Sequence, residues 1–181
     1  MLYFVTGGAR SGKSHFAEDL AKSKLKSDSG RMAYIATGIA MDEEFRQRIA
    51  QHRQQRGRDF QTYEAPLAID SCLELATAQH RIIIVECLTT WLGNLFHTMA
   101  DRGFAEIEQA ADQTVANFLS VAAANQSSSI IVVGNELGMG LVPPDPASRA
   151  YRDVHGRINR RIALAADAAW LLVSGLPIKL K

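Results

Sequence analysis

The segment Gly7-Gly8-Ala9-Arg10-Ser11-Gly12-Lys13-Ser14 constrains the chain more than any other feature. It reads G-x-x-x-x-G-K-S and directly follows a short apolar run, Leu2-Tyr3-Phe4-Val5-Thr6. A strand that enters such a loop and a helix that leaves it form a phosphate cradle. The glycines let the backbone turn its N–H groups inward around an anion, and the helix adds the positive end of its dipole. In this arrangement Lys13 reaches the terminal phosphates of a nucleoside triphosphate and the Ser14 hydroxyl is a ligand for Mg²⁺. A loop of this kind needs a parallel α/β sheet to carry it.

The rest of the chain supplies that sheet. Short apolar runs alternate with helical patterns, the mark of parallel strands covered on both faces. After strand Leu2–Thr6, Phe16, Ala17, Leu20 and Ala21 share a helix face, with Leu25 a further candidate, and Ser27–Gly30 ends that helix. Strands are expected at Met32–Thr37 and Phe60–Glu64, with a helix from Asp42 to about Arg56 between them and Pro66 opening the next helix. Ile82-Ile83-Ile84-Val85 is a β-branched run without polar interruption, as in a strand buried on both faces. Helices follow near Thr90–Met99 and Ala105–Asn125, the second with Ile107, Ala111, Val115, Phe118 and Ala122 in phase. Ile130–Val133 is another central strand. Three prolines make Gly138–Pro146 a loop. A last helix runs to about Asp167, then strand Trp170–Val173, a turn Ser174–Pro177, and Ile178–Leu180 pairing back as an antiparallel edge. The expected fold is α/β of the P-loop kind, a mostly parallel sheet with helices on both faces and an antiparallel edge strand.

The 181 residues show no linker, repeat or low-complexity tract, so residues 1–181 read as a single nucleotide-binding domain. A net charge of +1 gives no sign of nucleic-acid binding. No stretch approaches the ~20 apolar residues of a membrane span. Cys72 and Cys87 form no C-x-x-C pair and read as reduced core thiols, and the expected location is cytoplasmic.

Ligands of such sheets collect at the carboxyl ends of the strands. The polar residues just past the runs are therefore the candidates: Thr37 and Gly38, Glu64, Glu86, Asn135 and Glu136, and Ser174. A phosphate loop needs an acid at the end of a neighbouring strand to organise Mg²⁺. Glu86 stands at that place, with Glu where Asp is usual; the competing reading is a solvated strand-end carboxylate.

Arg46 to Arg58 contains five arginines, His52 and no acid. On a helix this could be a solvated face, with His52 finishing the stripe of Phe45 and Ile49. Alternatively, guanidinium groups surround a triphosphate while a neutral imidazole faces one phosphorus as a nucleophile.

A resemblance decides between these readings. Val5-Thr6 with the phosphate loop, Tyr34-Ile35-Ala36-Thr37, Asp42-Glu43-Glu44, Arg48-Ile49 and His52-Arg53 are similar to the bifunctional adenosylcobinamide kinase / adenosylcobinamide-phosphate guanylyltransferase family. So are Thr62 and Glu64, Glu86-Cys87-Leu88-Thr89-Thr90, Asn94-Leu95, Asn135 to Pro143, Arg149, Arg152-Asp153, Gly156-Arg157, Asn159, Ala166-Asp167 and the ending Ser174 to Lys181. The resemblance covers essentially the whole chain. It implies phosphorylation of the aminopropanol hydroxyl of adenosylcobinamide by ATP or GTP with Mg²⁺, then transfer of GMP from GTP to the new phosphate. It implies that His52 carries the GMP. It places the guanine nucleotide on Gly7, Gly8, Ala9, Arg10, Ser11, Gly12, Lys13 and Ser14, on Ala36, Thr37 and Gly38, on Arg53, Gln54, Gln55 and Arg56, and on Glu64 and Glu86. It also implies a homotrimer of RecA-like sheets and a small-molecule corrinoid partner.

Guanine preference comes from the resemblance alone, since the chain has no Asn-Lys-x-Asp signature. Two rivals stand beside it: a simple P-loop kinase of another small alcohol with a structural His52, and a RecA-like module that binds nucleotide without chemistry. His15, His80, His97 and His155 have no metal-ligand spacing and read as surface or cap residues.

Overall fold

In a computed structural model describing residues 1–25, 32–39 and 59–181, seven strands form one sheet. They are β1 (Leu2–Gly7), β2 (Met32–Ala36), β3 (Phe60–Glu64), β4 (Ile82–Glu86), β5 (Ser129–Val133), β6 (Ala168–Val173) and β7 (Leu176–Lys179). The described helices are α1 (Lys13–Lys24), α2 (Ile69–Gln79), α3 (Leu88–Thr98), α4 (Phe104–Ala124) and α5 (Pro146–Ala165). The strand order is β3-β2-β4-β5-β1-β6-β7, parallel throughout except for the antiparallel β6–β7 pair. The expected helix Asp42–Arg56, like the stop at Ser27–Gly30, lies outside the described residues.

Strand parity divides the core into two layers. Leu2 and Phe4, Ala33 and Ile35, Ile83 and Val85, and Ile130 and Val132 face α2, α3, α4 and α5. Their alternates Tyr3 and Val5, Met32 and Tyr34, Ile82 and Ile84, and Ile131 and Val133 face Ala17 and Ala21 of α1. Continuous apolar strands result because both faces are covered. Each fully buried Ile or Leu contributes roughly 1.5–3 kcal/mol relative to exposure. The stripe Ile107, Ala111, Val115, Phe118 and Ala122 of α4 is buried as its spacing predicts. Burial of Ala17 and Ala21 places α1 over β5 and β4, the next two strands from β1, which it follows.

Several local expectations change. The turn after β6 is only Ser174-Gly175, with φ 51° and 84°, so Leu176 and Pro177 belong to the edge strand. Positive φ at both central residues suits the twist of a two-residue hairpin, and an edge tolerates proline because one side of it needs no N–H. Helix α2 begins at Ile69 rather than at Pro66. Asp167 lies beyond the end of α5, where its carboxylate accepts from Leu2 N at 2.7 Å. Leu25 is the exposed C-cap of α1. His80 is a cap, but a buried one against Tyr63, and His155 is buried in mid-helix. Among the described residues no helix is long and apolar enough to cross a membrane.

Candidate active site

The site is built where β1 ends. Gly7 has φ 152°, and a Cβ there would overlap the carbonyl oxygen of Leu172 and lie 2.8 Å from Ser11 Oγ. The strand end is thus packed too tightly for any side chain. Arg10 (φ 55°) and Gly12 (φ 91°) both take left-handed backbone, which curls the loop back onto the helix start. Gly12 is the N-cap of α1 and offers no side-chain acceptor, so the first-turn N–H groups face the loop mouth and suit an anion. Lys13 folds over this mouth and donates to Gly8 O at 2.5 Å. It is largely buried, and burial holds its pKa below the usual lysine value, opposed by Cys87 and Glu86.

The carboxyl edge of the sheet supplies the acid. In register, Glu64, Ala36, Glu86 and Val133 lie side by side at the ends of β3, β2, β4 and β5. Parity carries Glu86 to the α1 side of the sheet, two residues beyond Ile84. There its Oε1 accepts from Ser14 Oγ and its Oε2 from Tyr34 OH. The solvated strand-end reading of Glu86 is thereby set aside: its carboxylate is held against the phosphate loop. Ser14 and Glu86 offer hard oxygen donors, and Mg²⁺ is bound by one or two carboxylates plus phosphate and water oxygens, so the pair fits that ion.

Thr37 is fully buried and acts as a brace between strands. Its Oγ1 accepts from Cys87 N at 2.8 Å and donates to Cys87 O at 2.9 Å, and its own N donates to Glu86 O at 3.0 Å. Asn94 of α3 caps the same junction by donating to Thr37 O at 2.7 Å and Pro66 O at 3.0 Å. The peptide joining Glu86 to Cys87 is cis. Burial pushes both thiols, Cys72 and Cys87, above their ordinary pKa, which fits reduced, unreactive cysteines.

Beyond β5 the chain stays tied to the loop: Glu136 N donates to Gly7 O at 3.0 Å, and Glu136 Oε1 accepts from Gly138 N at 2.7 Å. Thr89 Oγ1 accepts from Asn135 N and contacts His155 Nε2, both at 2.9 Å, while Tyr151 OH donates to Thr89 O at 2.6 Å. Asn159 Nδ2 holds Asn135 O at 2.8 Å. His155 Nδ1 is buried with no hydrogen-bond partner among the described residues. Burial pushes the imidazole down to about 4, so it is neutral at neutral pH.

The structure therefore brings together the Gly7–Ser14 loop, Ala36, Thr37 and Glu86, with Gly38 next to Thr37 in the chain. Glu64 sits at the same edge, exposed and one strand further out. His52, Arg53, Gln54, Gln55 and Arg56 lie outside the described residues. The roles of Tyr34 on Glu86 and of the Thr89–His155 pair escape sequence reasoning, because their partners are 52 and 66 positions away. Parity alone could have found Tyr34, since it shares a face with the strand-end acid.

Against known proteins, the model of the family "Cobinamide kinase / cobinamide phosphate guanyltransferase" matches residues 3–180. The chain belongs to this family. The chain is 39% identical to the bifunctional adenosylcobalamin biosynthesis protein CobU of Escherichia coli strain K12, and 36% identical to CobU of Salmonella typhimurium strain LT2. Both alignments cover all of this chain and all of the relative. Among solved structures, the flagellar accessory protein FlaH from Methanocaldococcus jannaschii superposes with a TM-score of 0.53 at 14% identity. That match covers 99% of this chain and 77% of FlaH. At such identity it speaks for the fold alone, a mostly parallel sheet with helices on both faces, as expected of this cobinamide kinase family member.

Proposed function

We propose that this chain phosphorylates adenosylcobinamide with ATP or GTP and then transfers GMP from GTP to the product, giving adenosylcobinamide-GDP in cobalamin assembly. The observation that carries the reading is the pairing of Ser14 with Glu86 beside Lys13, in a chain matched end to end by a two-activity family.

In the kinase step the loop N–H groups and Lys13 hold the transferring phosphoryl group, and the largely electrostatic demands of that transfer need little else. Ser14 and Glu86 are the residues that would hold Mg²⁺, which supplies charge neutralisation on the phosphate oxygens. Glu86 is also assigned to orient the attacking hydroxyl of the corrinoid. In the second step His52 Nε2 or Nδ1 attacks the α-phosphorus of GTP, forming a P–N bond as the bond to pyrophosphate breaks. An oxygen of the cobinamide phosphate then attacks the same phosphorus and the imidazole leaves. Arg53, Gln54, Gln55 and Arg56, next to His52 in sequence, are assigned to the nucleotide, with Ala36, Thr37, Gly38 and Glu64 along the sheet edge. Thr37, whose backbone N–H is engaged by Glu86 O, serves through its hold on Cys87 and the sheet edge. The chain is read as one cytoplasmic nucleotide-binding domain acting as a homotrimer, which mass measurement in solution tests.

The decisive experiment incubates the protein with α-labelled GTP. Label should remain on the denatured chain, acid-labile and alkali-stable, and disappear in His52→Asn while cobinamide kinase activity persists. A kinase that stops at the monophosphate and retains no label would overturn the transferase half. A chain that makes no phosphate ester would overturn both.

A further inference from the structure

Both oxygens of the Glu86 carboxylate have partners, and the two differ in kind. Ser14, on Oε1, sits on the phosphate loop and is itself one of the residues that would hold the cation. Tyr34, on Oε2, is not. Its ring is 2% exposed in the layer between sheet and α1, set edge-on to Phe60 with ring centroids 5.9 Å apart and planes at 88°. It stands on β2 opposite Ile84, two residues before Ala36, which pairs with Glu86. Parity gives Tyr34 and Glu86 the same face, and the length of the phenol spans the offset of two residues. A tyrosine placed for packing alone has no need to aim its hydroxyl at a strand-end carboxylate.

We infer that Tyr34 is a positioning residue for Glu86: its buried hydroxyl holds Oε2, so that Oε1 faces Ser14 and the phosphate loop, where the two residues can share a divalent cation with the nucleotide. A carboxylate on a strand end has three side-chain torsions to fix, and Ser14 alone cannot both fix it and share a cation with it. Partners of this kind, acting through a ligand, typically change metal affinity or activity 10–100-fold when removed. The inference rests on the reading of Glu86 as the cation-organising acid in the proposed function.

The test compares wild type, Tyr34→Phe and Phe60→Leu. The first variant removes only the hydroxyl; the second disturbs the same packing and leaves the hydroxyl in place. GTP affinity is measured by calorimetry in EDTA and again across a Mg²⁺ titration, together with melting temperature. In Tyr34→Phe, affinity in EDTA should stay within about twofold, while the Mg²⁺ concentration for half-maximal enhancement rises about tenfold. Phe60→Leu should lower the melting temperature and leave the Mg²⁺ requirement unchanged. An unchanged Mg²⁺ requirement in Tyr34→Phe, or an equal rise in both variants, would overturn the inference. These readouts need no corrinoid, so failure of the proposed transferase or kinase chemistry is seen separately, as a wild type that enhances GTP binding with Mg²⁺ but turns over no cobinamide.

Discussion

Acid should weaken this fold through His155, and the size of the effect follows from its surroundings. The ring is 1% exposed, its Nε2 engages Thr89 Oγ1, and its Nδ1 has no partner among the described residues. Protonation would bury a charge with an unmet donor, which is why burial lowers the pKa from 6.5 to about 4. The folded value lies below the unfolded one, so the unfolded chain takes up this proton first. Stability from His155 is therefore complete above the unfolded value and is lost as the pH falls from there toward about 4. The gap is worth about 3 kcal/mol when fully expressed, and about 2 kcal/mol of it falls between about pH 7 and about pH 5. Urea unfolding at those two pH values, on wild type and His155→Gln, isolates this contribution, because glutamine keeps a bond to Thr89 and does not titrate. Wild type should lose about 2 kcal/mol more than the variant over the interval. Losses equal to within about 0.5 kcal/mol would refute the buried, neutral histidine.

Two other outcomes follow from the phosphate loop. Lys13→Ala should lower cobinamide kinase kcat by about 10²-fold or more while the fold melts normally, since the ammonium projects to the loop mouth, where it donates to the Gly8 carbonyl, rather than into the core; near-normal turnover would remove the loop from the mechanism. Gly7→Ala should destabilise by at least about 2 kcal/mol, from the positive φ and the overlap with Leu172 O, as read by chemical denaturation, and a variant as stable as wild type would contradict the packing described.

The elements most legible in the sequence were those with one dominant signal. The α4 stripe and the uninterrupted runs of β4 and β5 announce their period and their burial together. The loop between β1 and α1 was likewise legible, because its backbone chemistry is local. What was not legible is long-range or depends on exposure. Leu176 and Pro177 read as turn residues, since proline punctuates most chains, and only an unpaired edge makes it tolerable. His155 reads as a surface or cap residue because a histidine in a polar helical pattern carries no sign of the tyrosine and threonine that enclose it. Glu86 could be proposed as the acid, but its two hydroxyl partners come from different elements brought in by topology.

Ala17 and Ala21 act as a shim of fixed thickness between α1 and the sheet. The distance from Ser14 to Glu86 is set across that gap, since the two residues arrive from β1 and β4 with β5 lying between those strands. Added bulk beneath α1 would thus lift Ser14 away from Glu86, even where the enlarged core repacked without loss of stability. Side-chain volume at these two positions therefore sets the spacing of the Ser14–Glu86 pair, adjustable by a methyl group and invisible to any inspection of the polar residues alone.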